Sequence, residues 1–159
     1  MESTIEQRLE AMGIALPMAM KPAFQYSAVV VHRDIAYVSG QLPRLDAESV
    51  IEGKLGREIG VERGQAAARL CALYALANLK QALGDLECIE RILKLTGFVA
   101  SAPGFNSQPS VIDGASALLV EIFGQRGRHA RSAVGVAELP RNAAVEIELI
   151  VALRDQAQR

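Results

Sequence analysis

Tryptophan is absent from the 159 residues, and Phe and Tyr supply only a 4% aromatic share. Few rings are therefore available to stack on unpaired bases. Charge is also balanced, with 17 Lys+Arg against 18 Asp+Glu and a formal net charge of -1. Without a basic excess to displace counterions, the chain is a poor candidate for nucleic-acid binding. Cysteine is scarce. Cys71 and Cys88 are too few for a disulfide framework, and both lie in apolar surroundings that suit small core residues. The two histidines, His32 and His129, stand in no Cys/His/Asp spacing that would hold a metal. The longest apolar run, Leu70 to Ala77, has eight residues and is too short to span a bilayer. The polar, acidic start at Met1-Glu2-Ser3-Thr4-Ile5-Glu6 does not read as a signal peptide. Glycine-rich phosphate loops of either common spacing are missing, and Ser116 lacks the second glycine of a nucleophile elbow. What remains is one soluble, cytoplasmic domain: 50% hydrophobic and only 22% charged, it can bury a substantial core.

Periodicity orders the chain. Ser3 and Glu6 have the spacing of a capping box, and Ile5, Leu9 and Met12 predict a short amphipathic helix over 4–12. A linker with Pro17 and Pro22 follows. Tyr26 to His32 and Ile35 to Ser39 are β-branched runs around Arg33-Asp34, which predicts a hairpin whose turn lacks glycine. Residues 41–60 read as loop, with a short strand near Val50 to Glu52. The clearest helix covers 61–83. One stripe holds Ala66, Leu70, Leu73 and Ala77, widened by Ala72, Leu76, Leu79 and Leu83, and Gly84 suits its C-terminal cap. Ile92 to Ala100 is a strand. A second long helix runs from Gln108-Pro109 to Gly124, with Val111, Ala115, Leu118, Leu119 and Ile122 inward. Arg131 to Glu138 and Ala144 to Leu153 are the last strands. The pattern is α+β: a mixed sheet with two long helices on one face.

Alternation along the last strand sends Val145, Ile147, Leu149, Val151 and Leu153 to the core, and Ala144, Glu146, Glu148, Ile150 and Ala152 to the other face. Ile150 and Ala152 suit contact with another subunit better than contact with water. On the neighbouring strand, Ser132, Val134 and Val136 are expected to face the core, leaving Arg131, Ala133 and Gly135 outside with open space beside the arginine. A pocket needs such space, although a solvated strand-end arginine fits the same spacing. His129 reads as a loop or interface residue, and Glu90-Arg91 as an exposed pair.

His129-Ala130-Arg131-Ser132-Ala133-Val134-Gly135-Val136, Leu139-Pro140 and Val145-Glu146-Ile147-Glu148 together resemble the C-terminal signature of the Rid/YjgF family of reactive intermediate deaminases, often called endoribonuclease L-PSP. Tyr26-Ser27-Ala28 and Ser39-Gly40-Gln41-Leu42-Pro43 are similar to that family's first hairpin, and Asn78-Leu79 with Leu83-Gly84-Asp85-Leu86 to its first helix and turn. Lys94-Leu95-Thr96-Gly97-Phe98-Val99, Gly114-Ala115-Ser116 and Gly127-Arg128-His129 point to a less studied branch. Departures are Ala133 where cysteine is frequent, no proline before Tyr26, a turn without glycine at 32–34, and the extra N-terminal helix. The resemblance implies a chorismate-mutase-like fold over residues 24–159, preceded by a helix and linker over 1–23, and a homotrimer whose sheets form a central barrel with pockets between subunits. It further implies cofactor-free hydrolysis of 2-aminoacrylate-type enamines or imines to 2-keto acids and ammonia. Arg131 and Glu146 would be catalytic, Arg131 holding the carboxylate and Glu146 handling water, with Ala133, Tyr26, Gly40 and Ser116 also at the substrate. The alternatives from other classes are a trimer that only binds a small carboxylate metabolite, and a single-stranded-RNA endonuclease.

Overall fold

The computed structural model describes residues 3–154. Five strands form one mixed sheet: β1 (Val29–His32), β2 (Ile35–Gln41), β3 (Ile89–Ala100), β4 (Ala130–Val136) and β5 (Val145–Leu153). Their order is β1-β2-β5-β3-β4. Only β3 and β4 pair in parallel, across the connection that carries the second long helix. The predicted α+β class with a mixed sheet is what the chain adopts. The hairpin turn closes without glycine because Arg33 takes a left-handed φ of 55°. The strand expected near Val50 reduces to isolated bridges, Arg44 with Val50 and Glu52 with Ala143.

Two helices cover one sheet face: α2 (Val61–Leu83) and α3 (Gln108–Phe123). Every apolar position expected to point inward from α3 is buried. In α2 the buried face holds Gly64, Ala67, Ala68, Cys71, Ala72, Ala75, Leu76 and Leu79, whereas Ala66 is exposed and Leu70 and Leu73 are half-buried. The inner stripe is thus rotated from the expected one. Small residues dominate it because α2 lies close to both α3 and the sheet, while Leu70 and Leu73 settle on its flanks. Gly114 marks the tightest approach: a Cβ there would strike the backbone carbonyl of Gln65 on α2. Gly97 similarly leaves room for Ile112 between α3 and β3.

The N-terminal helix, α1 (Ile5–Ala11), starts one residue later than its sequence signal. Thr4, not Ser3, is the cap: its hydroxyl accepts from the Gln7 N–H at 3.2 Å, while the Gln7 side chain accepts from the Thr4 N–H at 2.9 Å. Ile5 and Leu9 enter the main core, and the Ile5 N–H is held by the Glu87 carboxylate.

The faces of β5 are as expected, with Val145, Ile147, Leu149 and Val151 buried under the helices. Those of β4 are reversed. Its register with β3 sets Arg131 beside Leu95, Ala133 beside Gly97 and Gly135 beside Val99. Leu95 and Val99 are fully buried and Gly97 abuts Ile112, so Arg131, Ala133 and Gly135 lie on the helix side. Val134 faces outward and is exposed. Valine misled the reading because the uncovered face of this sheet is itself partly apolar: Val30, Tyr37 and Val134 are all exposed there.

Candidate functional site

Two groups of the expected residues assemble, in separate places. The first lines a cavity of about 730 Å³ whose walls include Tyr26, Gly40, Gln41 and Glu146. Glu146 stands on the uncovered face of β5, and Gly40 lies directly against it. Any side chain at position 40 would collide with the Glu146 carboxyl, so glycine is what lets that carboxyl lie against β2. Burial, reinforced by the nearby charge of Glu148, holds the Glu146 carboxyl above its ordinary pKa. A carboxyl so placed can serve in turn as proton acceptor and proton donor. The adjacent Gln41 is tied to the core, accepting from the buried Asn78 amide at 3.0 Å and donating to the Ser39 carbonyl at 2.9 Å.

The second group lies between α3 and β4. Asp113 and Ser116, three residues apart, share one face of α3; His129 and Arg131, two apart, share one side of the chain entering β4. The Gly127 carbonyl sits 2.6 Å from His129 Nδ1 and can only accept, so Nδ1 carries a proton. In the neutral ring Nε2 is then bare and accepts the Ser116 hydroxyl proton at 3.0 Å. That orientation turns a Ser116 lone pair toward Arg131, whose Nη1 donates to it at 3.2 Å and to Asp113 Oδ1 at 2.6 Å. Both bonds use Nη1. The guanidinium's Nε and Nη2 have no partner among the described residues, and together they form the parallel pair of N–H donors that matches a carboxylate.

The structure therefore joins Arg131 with Ser116, and Ala133 follows on the same side, while Tyr26, Gly40 and Glu146 meet in the cavity. It does not bring Arg131 to Glu146 within one chain. The sequence reading set them on one face of adjacent strands. In fact β3 lies between β5 and β4, and the two side chains emerge on opposite faces. Asp113 and Gln41 were missed and the place of His129 was left open, although the helical spacing of Asp113 to Ser116 and the two-residue step from His129 to Arg131 were both legible. Among the described residues no group of three or more His, Cys, Asp or Glu could hold a metal ion, and no helix is long and apolar enough to cross a membrane.

A family model described as "YjgF/chorismate_mutase-like, putative endoribonuclease" matches residues 6–153. The chain belongs to the YjgF family. This YjgF protein is 45% identical over 152 residues to Protein TCP17 of Trypanosoma cruzi, covering 95% of each chain. A crystal structure of the protein Atu1372 with unknown function, from Agrobacterium tumefaciens, superposes with a TM-score of 0.87 at 47% identity, over 94% of this chain and 92% of that one. A 2-iminobutanoate/2-iminopropanoate deaminase from Dermatophagoides farinae is 31% identical over 141 residues, 88% of this chain and 94% of that protein. The YjgF match reaches back into α1, in keeping with Ile5 and Leu9 lying in the shared core.

Proposed function

We propose that this YjgF protein hydrolyses small 2-imino and enamine carboxylates to 2-keto acids and ammonia, in sites completed between the copies of a homotrimer. The observation that carries this reading is Arg131: pinned through Nη1 by Asp113 and Ser116, it leaves Nε and Nη2 as an unoccupied fork for a planar carboxylate. The deaminase of Dermatophagoides farinae, named for 2-iminobutanoate and 2-iminopropanoate, supports the same class of ligand. Because Arg131 and Glu146 diverge within one chain, a second copy has to bring its own pocket to the arginine. The apolar outer face of the sheet offers a surface for that assembly.

In such a site the substrate carboxylate takes the Arg131 fork, with the backbone near Ala133 beside it. Tyr26, Gly40 and Glu146 of the neighbouring copy close over the imine carbon. Glu146 accepts a proton from the attacking water as its oxygen bonds to C2 of the protonated imine, giving a neutral carbinolamine. It returns that proton to the nitrogen, the C–N bond breaks, and the C2 hydroxyl passes its proton through Glu146 to the departing ammonia, leaving the keto acid and ammonium. An enamine substrate takes a proton at C3 to enter as the same protonated imine. The reaction consumes one water and needs no redox partner. The raised pKa of Glu146 suits both halves of the relay.

Titration calorimetry with 2-oxobutyrate, on wild type and Arg131→Ala, tests the carboxylate half. Losing the charged fork should weaken binding by about 1.5–3 kcal/mol, roughly ten- to a hundredfold, and Arg131→Lys should recover only part of it. Equal affinities would remove Arg131 from the site. Ammonia release from enzymatically generated 2-aminoacrylate tests the chemistry. Binding without release would leave a carboxylate-binding module rather than an enzyme.

A further inference from the structure

We infer that the cavity beside Glu146 selects a substrate with a second anionic group, received chiefly by Arg44, so that the preferred ligand is a 2-imino dicarboxylate or an acid of similar charge. The inference rests on the deaminase reading above and adds to it the class of substrate. Three cations, Lys21, Arg44 and Arg141, line the cavity, and Glu146 is its single acidic lining residue. Three cations against one carboxyl leave the lining with an excess of positive charge.

Arg44 is the most telling of the three. It is half-buried, yet its guanidinium has neither an ion pair nor a hydrogen bond among the described residues. Partial desolvation of a charge without a partner is unfavourable, and an anion arriving in the cavity would relieve it. Arg141 is already engaged: its Nη2 donates to the Glu48 carbonyl, and its charge acts on the nearby Asp46 carboxylate. Lys21 is exposed and has no partner among the described residues, and it adds attraction for an incoming anion. A volume of about 730 Å³ leaves room for more than a four-carbon acid, whose single carboxylate is assigned to Arg131.

The test compares two five-carbon keto acids that differ only at the far end. In calorimetry on the full-length protein, 2-oxoglutarate should bind about tenfold tighter than 2-oxopentanoate, and the gap should shrink as salt is raised. Arg44→Gln should remove the preference while leaving 2-oxopentanoate affinity unchanged, which a merely structural loss would not do. Equal or tighter binding of 2-oxopentanoate by wild type would overturn the inference. So would an Arg44→Gln variant that weakens both acids alike. Arg131→Ala keeps the two readings apart. If it weakens both acids but preserves their ratio, both readings hold. If it changes neither while the Arg44 effect persists, the dicarboxylate preference survives and the assignment of Arg131 fails. Wild type that binds neither acid overturns both.

Discussion

Gly40 on β2 and Glu146 on β5 lie so close that a single methyl group at position 40 would overlap the glutamate's carboxyl. A Gly40→Ala chain would still pair its strands, because backbone hydrogen bonding is unaffected, but the carboxyl would be pushed away from its place. Displacement of about 1 Å at a reacting group typically costs a hundredfold in rate. We therefore expect Gly40→Ala to lower deaminase turnover by about two orders of magnitude with 2-oxobutyrate affinity little changed. Unchanged turnover would mean that Glu146 has no part in the chemistry.

Glu146→Gln should separate stability from activity. Burial raises the folded-state pKa of Glu146 above that of the unfolded chain, where the carboxyl is ordinary. Between the two values the folded protein holds the proton and the unfolded chain does not. Stability therefore falls as pH rises through that window and stays lower above it. The glutamine variant should melt at a higher temperature than wild type at pH 7, and the advantage should vanish below the ordinary carboxyl range. Turnover should meanwhile fall by about 10²–10⁴, the usual worth of a proton-transferring group. Thermal melts across pH, run beside ammonia release, read both effects.

Ile150 tests the assembly. It stands on the uncovered face between Tyr37 of β2 and Lys94 of β3. Wild type should scatter light as a trimer, three times the 17.1 kDa chain. Ile150→Arg would put a second cation next to Lys94 and carry it into the apolar interface, where no partner awaits it. Single-chain mass and loss of turnover should appear together in this variant, because sites shared between copies vanish with the assembly. A wild-type monomer at micromolar concentration would leave the two halves of the site without a way to meet.

Ile5 tests whether α1 belongs to the folding unit. Its side chain is completely buried, although it stands in the first turn of a short helix. Ile5→Ala should cost about 2–5 kcal/mol, the range for truncating a buried aliphatic side chain. For a chain of this length each kcal/mol moves the melting temperature by about 2–4 °C. A change of less than a degree would make α1 an appendage.

The long helices were legible because their signals agree. Apolar spacing, Gly84 and Gly124 at the ends, and Gln108-Pro109 at one start give α2 and α3 the bounds observed. The faces of β5 were legible for the same reason, since strict alternation separates aliphatic residues from Glu146 and Glu148. On β4 that contrast fails. With valines on one side and an arginine among small residues on the other, hydrophobicity points the wrong way once both sheet faces are partly apolar. The parallel pairing with β3 decides the matter, and pairing is a long-range fact that local periodicity does not contain. The site was legible in its residues and not in its arrangement. Nothing along the sequence says that β3 separates β5 from β4, or that Asp113 reaches Arg131 across the gap between α3 and β4.

Gly114 and Gly97 seat α3 against the backbone of α2 and over β3, where no side chain would fit. Amide protons of α3 should consequently exchange with solvent only through openings close to complete unfolding. The cavity wall is held differently: within residues 20–28 the backbone bonds are few, among them Tyr26 to Phe24 and Ser39 to the Ala28 carbonyl. Its amides should exchange through frequent, local openings. The arginine's anchor and the cavity's entrance thus keep separate clocks. Ligand can enter and leave at the tempo of the wall while Asp113 and Ser116 hold the guanidinium through many turnovers.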